Sequence, residues 1–331
     1  MSVNHDLIIK ETLSLAIKNY QQNELSEAQI LYDKILKIDP TNVIALNNLG
    51  VIYQEFKEYP KSVESYEKAI KFDPTHAQSL NNLGFLYQKL GELRKAQSCL
   101  EKIIEINPNS IDANNNLGVL YQKSGEYQKA QSYFEKVIEI DPNFQQAIYN
   151  LGVIHGELDE HQKAQSYFEK VIEIDPKYLD AYNNLGVLYQ KLGELRKAQN
   201  YLEKAIEIDP NYINAHYNLG VLFNDIGEYT KAIFMYEKLI KINPIHNSTL
   251  NNLGGIYKLL HKDQKAKFFF EEVIKLNPNH INAHSNLSAL YIRTLDNFEK
   301  SMNSSYKVSK IHHQNSKFIN QSVPLFRLKH D

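Results

Sequence analysis

Asn115-Asn116-Leu117-Gly118-Val119-Leu120-Tyr121, followed by Gly125-Glu126-Tyr127-Gln128-Lys129-Ala130 and closed by Ile140-Asp141-Pro142, is the stretch whose reading decides the fold. Edited copies of it return every 34 residues, each ending on a proline: Pro40, Pro74, Pro108, Pro142, Pro176, Pro210, Pro244 and Pro278. A fixed period of this length marks an array of stacked supersecondary units, in which each unit buries its apolar face against its neighbours. A 331-residue chain would otherwise suggest two or three globular domains.

Each unit reads as two amphipathic helices. Ala113, Leu117, Leu120 and Tyr121 fall at helical spacing, and so do Ala130, Tyr133, Phe134, Val137, Ile138 and Ile140. Gly125-Glu126 separates the two, and Asp141-Pro142 ends the second, because the residue before a proline is pushed out of the helical region. Gly50, Gly84, Gly118, Gly152, Gly186, Gly220 and Gly254 sit inside the first helix. A glycine there costs about 1 kcal/mol relative to alanine, so its retention predicts that a side chain would collide with the packed neighbouring helix. Tyr53, Tyr87, Tyr121, Tyr189 and Tyr257 are expected to fill the space between paired helices, with His155 as a packed replacement.

The recurring set of Leu-Gly, Tyr, Gly, Ala, an aromatic and Pro resembles the tetratricopeptide repeat (TPR) family over residues 9–314. The tryptophan often found early in that family's first helix is absent, with Leu46, Leu80, Tyr182 and Leu250 in its place. The resemblance implies an all-α, right-handed superhelical solenoid of about nine helix-turn-helix repeats, with first helices lining the concave side. The organisation expected is a lead-in at 1–8 with Asp6 capping the first helix, an array at 9–314 with degenerate first and last repeats, and a tail or junction at 315–331. Phe318 or Phe326 of that tail is expected to cover the last helix. Gln128–Pro142 is identical to Gln162–Pro176, and Tyr87–Gln97 to Tyr189–Gln199, which points to duplication within the array.

Positions two, six, nine and thirteen of each unit share a face of the first helix distinct from the core face. The sixth is Asn48, Asn82, Asn116, Asn150, Asn184, Asn218, Asn252 and Asn286. Asparagine is a poor residue inside a helix, costing on the order of 0.5 kcal/mol against alanine. Its amide carries donors and an acceptor that can bracket the N–H and C=O of an extended peptide. The row therefore predicts main-chain clamping, with Gln122, Gln190, Tyr149 and Tyr217 supplying side-chain preference. Such a groove resembles the substrate-binding TPR superhelix of protein O-GlcNAc transferases and of kinesin light chains. It does not resemble the chaperone-tail binders, whose basic residues clamp a terminal carboxylate.

Lys and Arg number 37 against 39 Asp and Glu, so no basic excess argues for nucleic acid or an anionic membrane. Cys99 is the only cysteine, which excludes intrachain disulfides and fits a reducing, cytoplasmic setting. No phosphate loop, nucleophile elbow or metal-ligand spacing is present, and His280 with His284 lacks a completing carboxylate. The expectation is a non-catalytic scaffold that needs no cofactor or metal and binds an extended protein segment. The alternative is the substrate-targeting arm of a glycosyltransferase without its catalytic domain; a third reading is self-association through the end repeats.

Overall fold

The computed structural model describes residues 2–294 and 302–311. Among the described residues there are helices and no strand. The chain forms two compact units, residues 1–174 and 175–331. In the first unit the helices are α1 (Ser2–Gln21), α2 (Leu25–Ile38), α3 (Val43–Glu55), α4 (Tyr59–Phe72), α5 (Ala77–Lys89), α6 (Leu93–Ile106), α7 (Ile111–Lys123), α8 (Tyr127–Ile140), α9 (Gln145–Glu157) and α10 (His161–Ile174). In the second they are α11 (Leu179–Lys191), α12 (Leu195–Ile208), α13 (Ile213–Asp225), α14 (Tyr229–Ile242), α15 (Asn247–Leu259), α16 (Asp263–Leu276), α17 (Ile281–Thr294) and α18 (302–311). Within each unit, odd helices pack on the even helix that follows, and that helix packs on the next odd one.

The α7–α8 pair shows how the sequence produces this. Ser110 caps α7 by accepting the Ala113 N–H, which satisfies one of the free donors at a helix start. Leu117, Leu120 and Tyr121 are buried, and Gly125 turns the chain with φ +77° before the Glu126 N–H closes back on the Tyr121 carbonyl. α8 buries Ala130, Phe134 and Val137, then stops where the Asp141 carboxylate accepts the Asn143 N–H across Pro142. Fully burying Phe134 contributes roughly 1.5–3 kcal/mol. The same turn holds Lys57 and His261 at φ +61° and +56°, a region that costs an ordinary L-residue roughly 1–2 kcal/mol.

The mid-helix glycines are where a collision would occur, as expected. A Cβ on Gly50, Gly118, Gly152, Gly220 or Gly254 would stand 2.4–2.7 Å from the aromatic ring of the second helix of its own repeat. A leucine stands in place of the ring at two positions: a Cβ on Gly186 would lie 2.5 Å from Leu202, whereas at Gly84 the nearest atom is Cys99 Cβ at 3.3 Å.

The tyrosines also lie between paired helices. Tyr121 stacks on Tyr133, Tyr189 on Tyr201 and Tyr257 on Phe269, with planes within 10°. His155 is buried, stacks on Tyr167 at 5.3 Å, and bonds Glu160 through Nδ1 at 2.6 Å. Where Cys99 and Ser304 take the place of the second ring, hollows of about 250 and 360 Å³ open beside Tyr87 and Tyr291.

The first helix begins by Ser2, so residues of the expected lead-in lie inside α1 and Asp6 is not its cap. No proline or glycine stands between Ser2 and Asp6 to break a helix there. The expectations for the 315–331 tail, Phe318 and Phe326 included, lie outside the described residues.

Candidate functional site

The asparagine row is distributed over the two units. Asn48, Asn82, Asn116 and Asn150 lie on α3, α5, α7 and α9, while Asn184, Asn218, Asn252 and Asn286 lie on α11, α13, α15 and α17. First helices of successive repeats neighbour one another within each unit. The helical register therefore lines the amides up, but they are not equivalent.

Two of them tie adjacent repeats together. Asn82 donates to Asn47 Oδ1 at 3.1 Å, and Asn218 donates to Asn183 Oδ1 at 2.7 Å. Both bonds run from the sixth position of one repeat to the fifth of the preceding one. Two others reach the buried tyrosine of the preceding repeat: Asn48 to Tyr32 Oη at 3.0 Å, and Asn252 to Tyr236 Oη at 3.2 Å. Burial pushes both phenols above the usual tyrosine range, which keeps the oxygen neutral as a partner for the amide.

The remaining four differ again. Asn286 accepts from Lys258 Nζ at 2.8 Å, and Asn184 accepts from Asn183 at 3.4 Å. Asn150 is only 6% exposed and accepts from Gln146, while its own Nδ2 is buried and unbonded, as is Asn115 Oδ1. Asn116 is exposed.

An asparagine amide has two N–H donors and an oxygen with two lone pairs. A single internal bond therefore fixes the amide plane while leaving a donor and acceptor capacity. The bonds from the row to the fifth-position asparagines Asn47 and Asn183 are what sequence reasoning missed; the 35-residue separation of Asn47 from Asn82 was the available signal.

Of the other predicted residues, Gln122 and Gln190 are half-buried, and Gln190 donates to Asp225 of the next repeat at 2.8 Å. Tyr149 leans on Phe168 at 5.8 Å between centroids, and Tyr217 on Tyr236 at 6.2 Å. The Tyr217 hydroxyl also accepts from Asn252 at 3.5 Å. These tyrosines brace the aromatic core from the first-helix side. At the start of the first unit the same face encloses a hollow of about 390 Å³, lined by Tyr20, Tyr32, Asn48, Val51, Gln78 and Asn82 among others.

His280 accepts the Ala283 N–H at the start of α17, and His284 bonds the Pro278 carbonyl, so both act in the local turn. Among the described residues, no group of three or more His, Cys, Asp or Glu is placed to hold a metal ion. Among them, too, no helix is long and apolar enough to cross a membrane.

A stack of helix pairs, with a glycine seated under the aromatic ring of its partner helix and an amide row along the first helices, defines a helical-hairpin repeat protein. Tetratricopeptide repeat models match residues 31–64, 57–91, 75–143, 145–211, 178–244 and 248–280, and the chain belongs to this family. No curated protein matches it.

Among solved structures, it is similar to a tetratricopeptide repeat protein from Parabacteroides merdae, at 20% identity and TM-score 0.57, covering 72% of this chain and 94% of that one. It is also similar to PilF of Pseudomonas aeruginosa, at 20% identity and TM-score 0.53, covering 64% and 96%. A further likeness is to a chain of the APC/C hetero-tetramer Cut9–Hcn1, at 18% identity and TM-score 0.57, covering 80% and 52%. At these identities the likeness is one of fold.

Proposed function

We propose that this protein is a non-catalytic interaction scaffold that holds an extended segment of a partner protein along the first helices. Asn116 in the first unit and Asn184 in the second serve as main-chain clamps, supported by Asn82 and Asn218. The observation that carries the reading is the pair of bonds Asn82 to Asn47 and Asn218 to Asn183. Each holds a half-buried amide in one orientation and leaves a second N–H and acceptor capacity for a ligand. Donors fixed in place before binding lose less entropy on association than free side chains do. The hollow beside Tyr32 and Asn48 takes one side chain of the bound segment, with Val51 as its apolar wall and the amides at its rim.

Affinity capture from a native lysate tests the reading, comparing the wild-type protein with an Asn116→Ala, Asn184→Ala variant of confirmed helicity. Neither substitution removes one of the two amide bonds between repeats. Loss of a defined set of partners supports the groove; capture of the same partners by both proteins moves binding elsewhere on the surface.

A further inference from the structure

The first repeat, residues 9–42, departs from the others at two adjacent positions of its first helix. In repeats two to seven the twelfth position is Gln54, Gln88, Gln122, Gly156, Gln190 and Asn224. The thirteenth is Glu55, Lys89, Lys123, Glu157, Lys191 and Asp225, a charge every time. The first repeat carries Tyr20 and Gln21 instead, so a ring replaces an amide and an amide replaces a charge. Capping of the array's end does not account for this. An end repeat turns polar where it lacks a neighbour, as Lys18 does at the place of the buried Ile52 and Leu86. Tyr20 runs the other way and adds carbon.

Both residues line the hollow of about 390 Å³ at the start of the first unit. Ile17, Tyr20, Tyr32 and Val51 supply its carbon surface, amides supply the rest, and none of its eight lining residues is charged. Shifted by one 34-residue unit, the same positions take in Glu55 and Asp112; shifted by two, Lys89. The uncharged set therefore does not recur in the repeats that follow it in this unit. That matters for a groove of repeated amides. A main-chain clamp treats every residue of its ligand alike, and Asn82 returns as Asn116 one unit later. A segment held by amides alone is free to slip by a unit, so a feature that is not repeated must set its register.

We infer that this hollow receives an uncharged aromatic side chain of the bound segment and thereby fixes the segment's register along the first unit. The inference rests on the reading of the first-helix face as a peptide groove. A ring laid against Tyr20 and Tyr32 gains from aromatic contact beyond the area it buries. A charged side chain in the same place loses its water and meets no opposite charge. The volume lies near the lower end of the roughly 300–1,000 Å³ of ligand pockets, which suits one ring system. Asn82, whose Nδ2 is held by Asn47, keeps its Oδ1 as an acceptor for a phenol or indole tip.

Random peptides of about 16 residues, about 50 Å when extended, are displayed and selected on the full chain, then titrated by fluorescence anisotropy. The wild-type protein should enrich Phe, Tyr or Trp at one position and deplete charged residues there. Replacing that ring by alanine in the peptide should cost at least about tenfold in affinity. Two variants of confirmed helicity borrow from the second and third repeats. Tyr20→Gln with Gln21→Glu copies Gln54 and Glu55, and Val51→Phe copies Phe85 and fills the hollow. Each variant should bind the ring peptide and its alanine analogue alike. Selected peptides with no aromatic position, or equal discrimination by wild type and both variants, overturn the inference. The groove reading is judged separately, by whether Asn116→Ala with Asn184→Ala weakens the ring peptide and its alanine analogue by the same factor. N-acetyltryptophanamide is the second probe, its fluorescence unobscured because the chain has no tryptophan. Saturable binding of this probe, lost in both hollow variants while no peptide is selected, overturns the inference and identifies a free aromatic molecule as the occupant. Binding of neither probe overturns it as well.

Discussion

Asn218 on α13 gives an amide N–H to Asn183 Oδ1 on α11 at 2.7 Å, joining the first helices of two successive repeats through side chains alone. Asn82 does the same to Asn47 in the first unit. The pair at Asn150 and Asn115 has the same 35-residue separation, yet its Nδ2 and Oδ1 are both buried and unbonded. One row of asparagines thus serves two purposes, linking repeats at some positions and facing solvent at others.

Asn218→Ala leaves the buried Asn183 amide with an unpaired oxygen, and should destabilise the protein by about 1–2 kcal/mol in urea unfolding. Asn150→Ala removes a donor that is already unpaired, so its loss should be smaller. Equal losses would show that the inter-repeat bond contributes nothing.

Gly118→Ala drives a Cβ to 2.7 Å from the buried Phe134 ring. The gain in helix propensity is about 1 kcal/mol, and the overpacking penalty of roughly 1–3 kcal/mol should exceed it. At Gly84 the nearest contact is 3.3 Å from Cys99 Cβ, so Gly84→Ala should be near neutral or stabilising. Thermal unfolding of the two variants should therefore shift in different directions, or at least by clearly different amounts.

Cys99 occupies the place that Tyr133 fills one repeat later, and a hollow of about 250 Å³ lies beside it. Burial pushes its thiol up to about 11, so it behaves as a neutral packing group. Cys99→Tyr should stack on Tyr87 as Tyr133 stacks on Tyr121, raising stability by about 0.5–1.5 kcal/mol. A fall in melting temperature would mean that the hollow cannot open to a full ring.

His246 caps α15 by accepting the Thr249 N–H, and burial lowers its pKa below 6.5. The folded state therefore favours the neutral ring, which can accept that bond. The sign follows from linkage: this contribution is whole above 6.5, shrinks as pH falls below it, and is gone once the folded protein also protonates. His246→Asn keeps a capping side chain without titrating. The gap in melting temperature between wild type and variant should shift in favour of the variant between pH 7 and 5.

The fold was legible because a 34-residue period fixes helix pairing directly, and because each mid-helix glycine needs a steric reason. The aromatic rings at Tyr66, Phe134, Phe168, Tyr236 and Phe270 supply it. The candidate site was legible only as a row. Whether an amide faces solvent or its neighbour depends on what stands 35 residues earlier and on whether a phenol lies within reach, as Tyr32 does for Asn48. The start of α1 was misread because Asp6, which has the side chain of a cap, stands inside a helix that already runs from Ser2.

The most direct test of main-chain clamping is the affinity of a peptide from a captured partner, measured beside analogues methylated at successive backbone nitrogens. Methylation removes an N–H without altering any side chain. The account predicts that some positions lose about tenfold or more on methylation, and that Asn116→Ala with Asn184→Ala erases the difference. Uniform affinity across the methylated series would show that side chains alone are recognised, and would contradict the clamp.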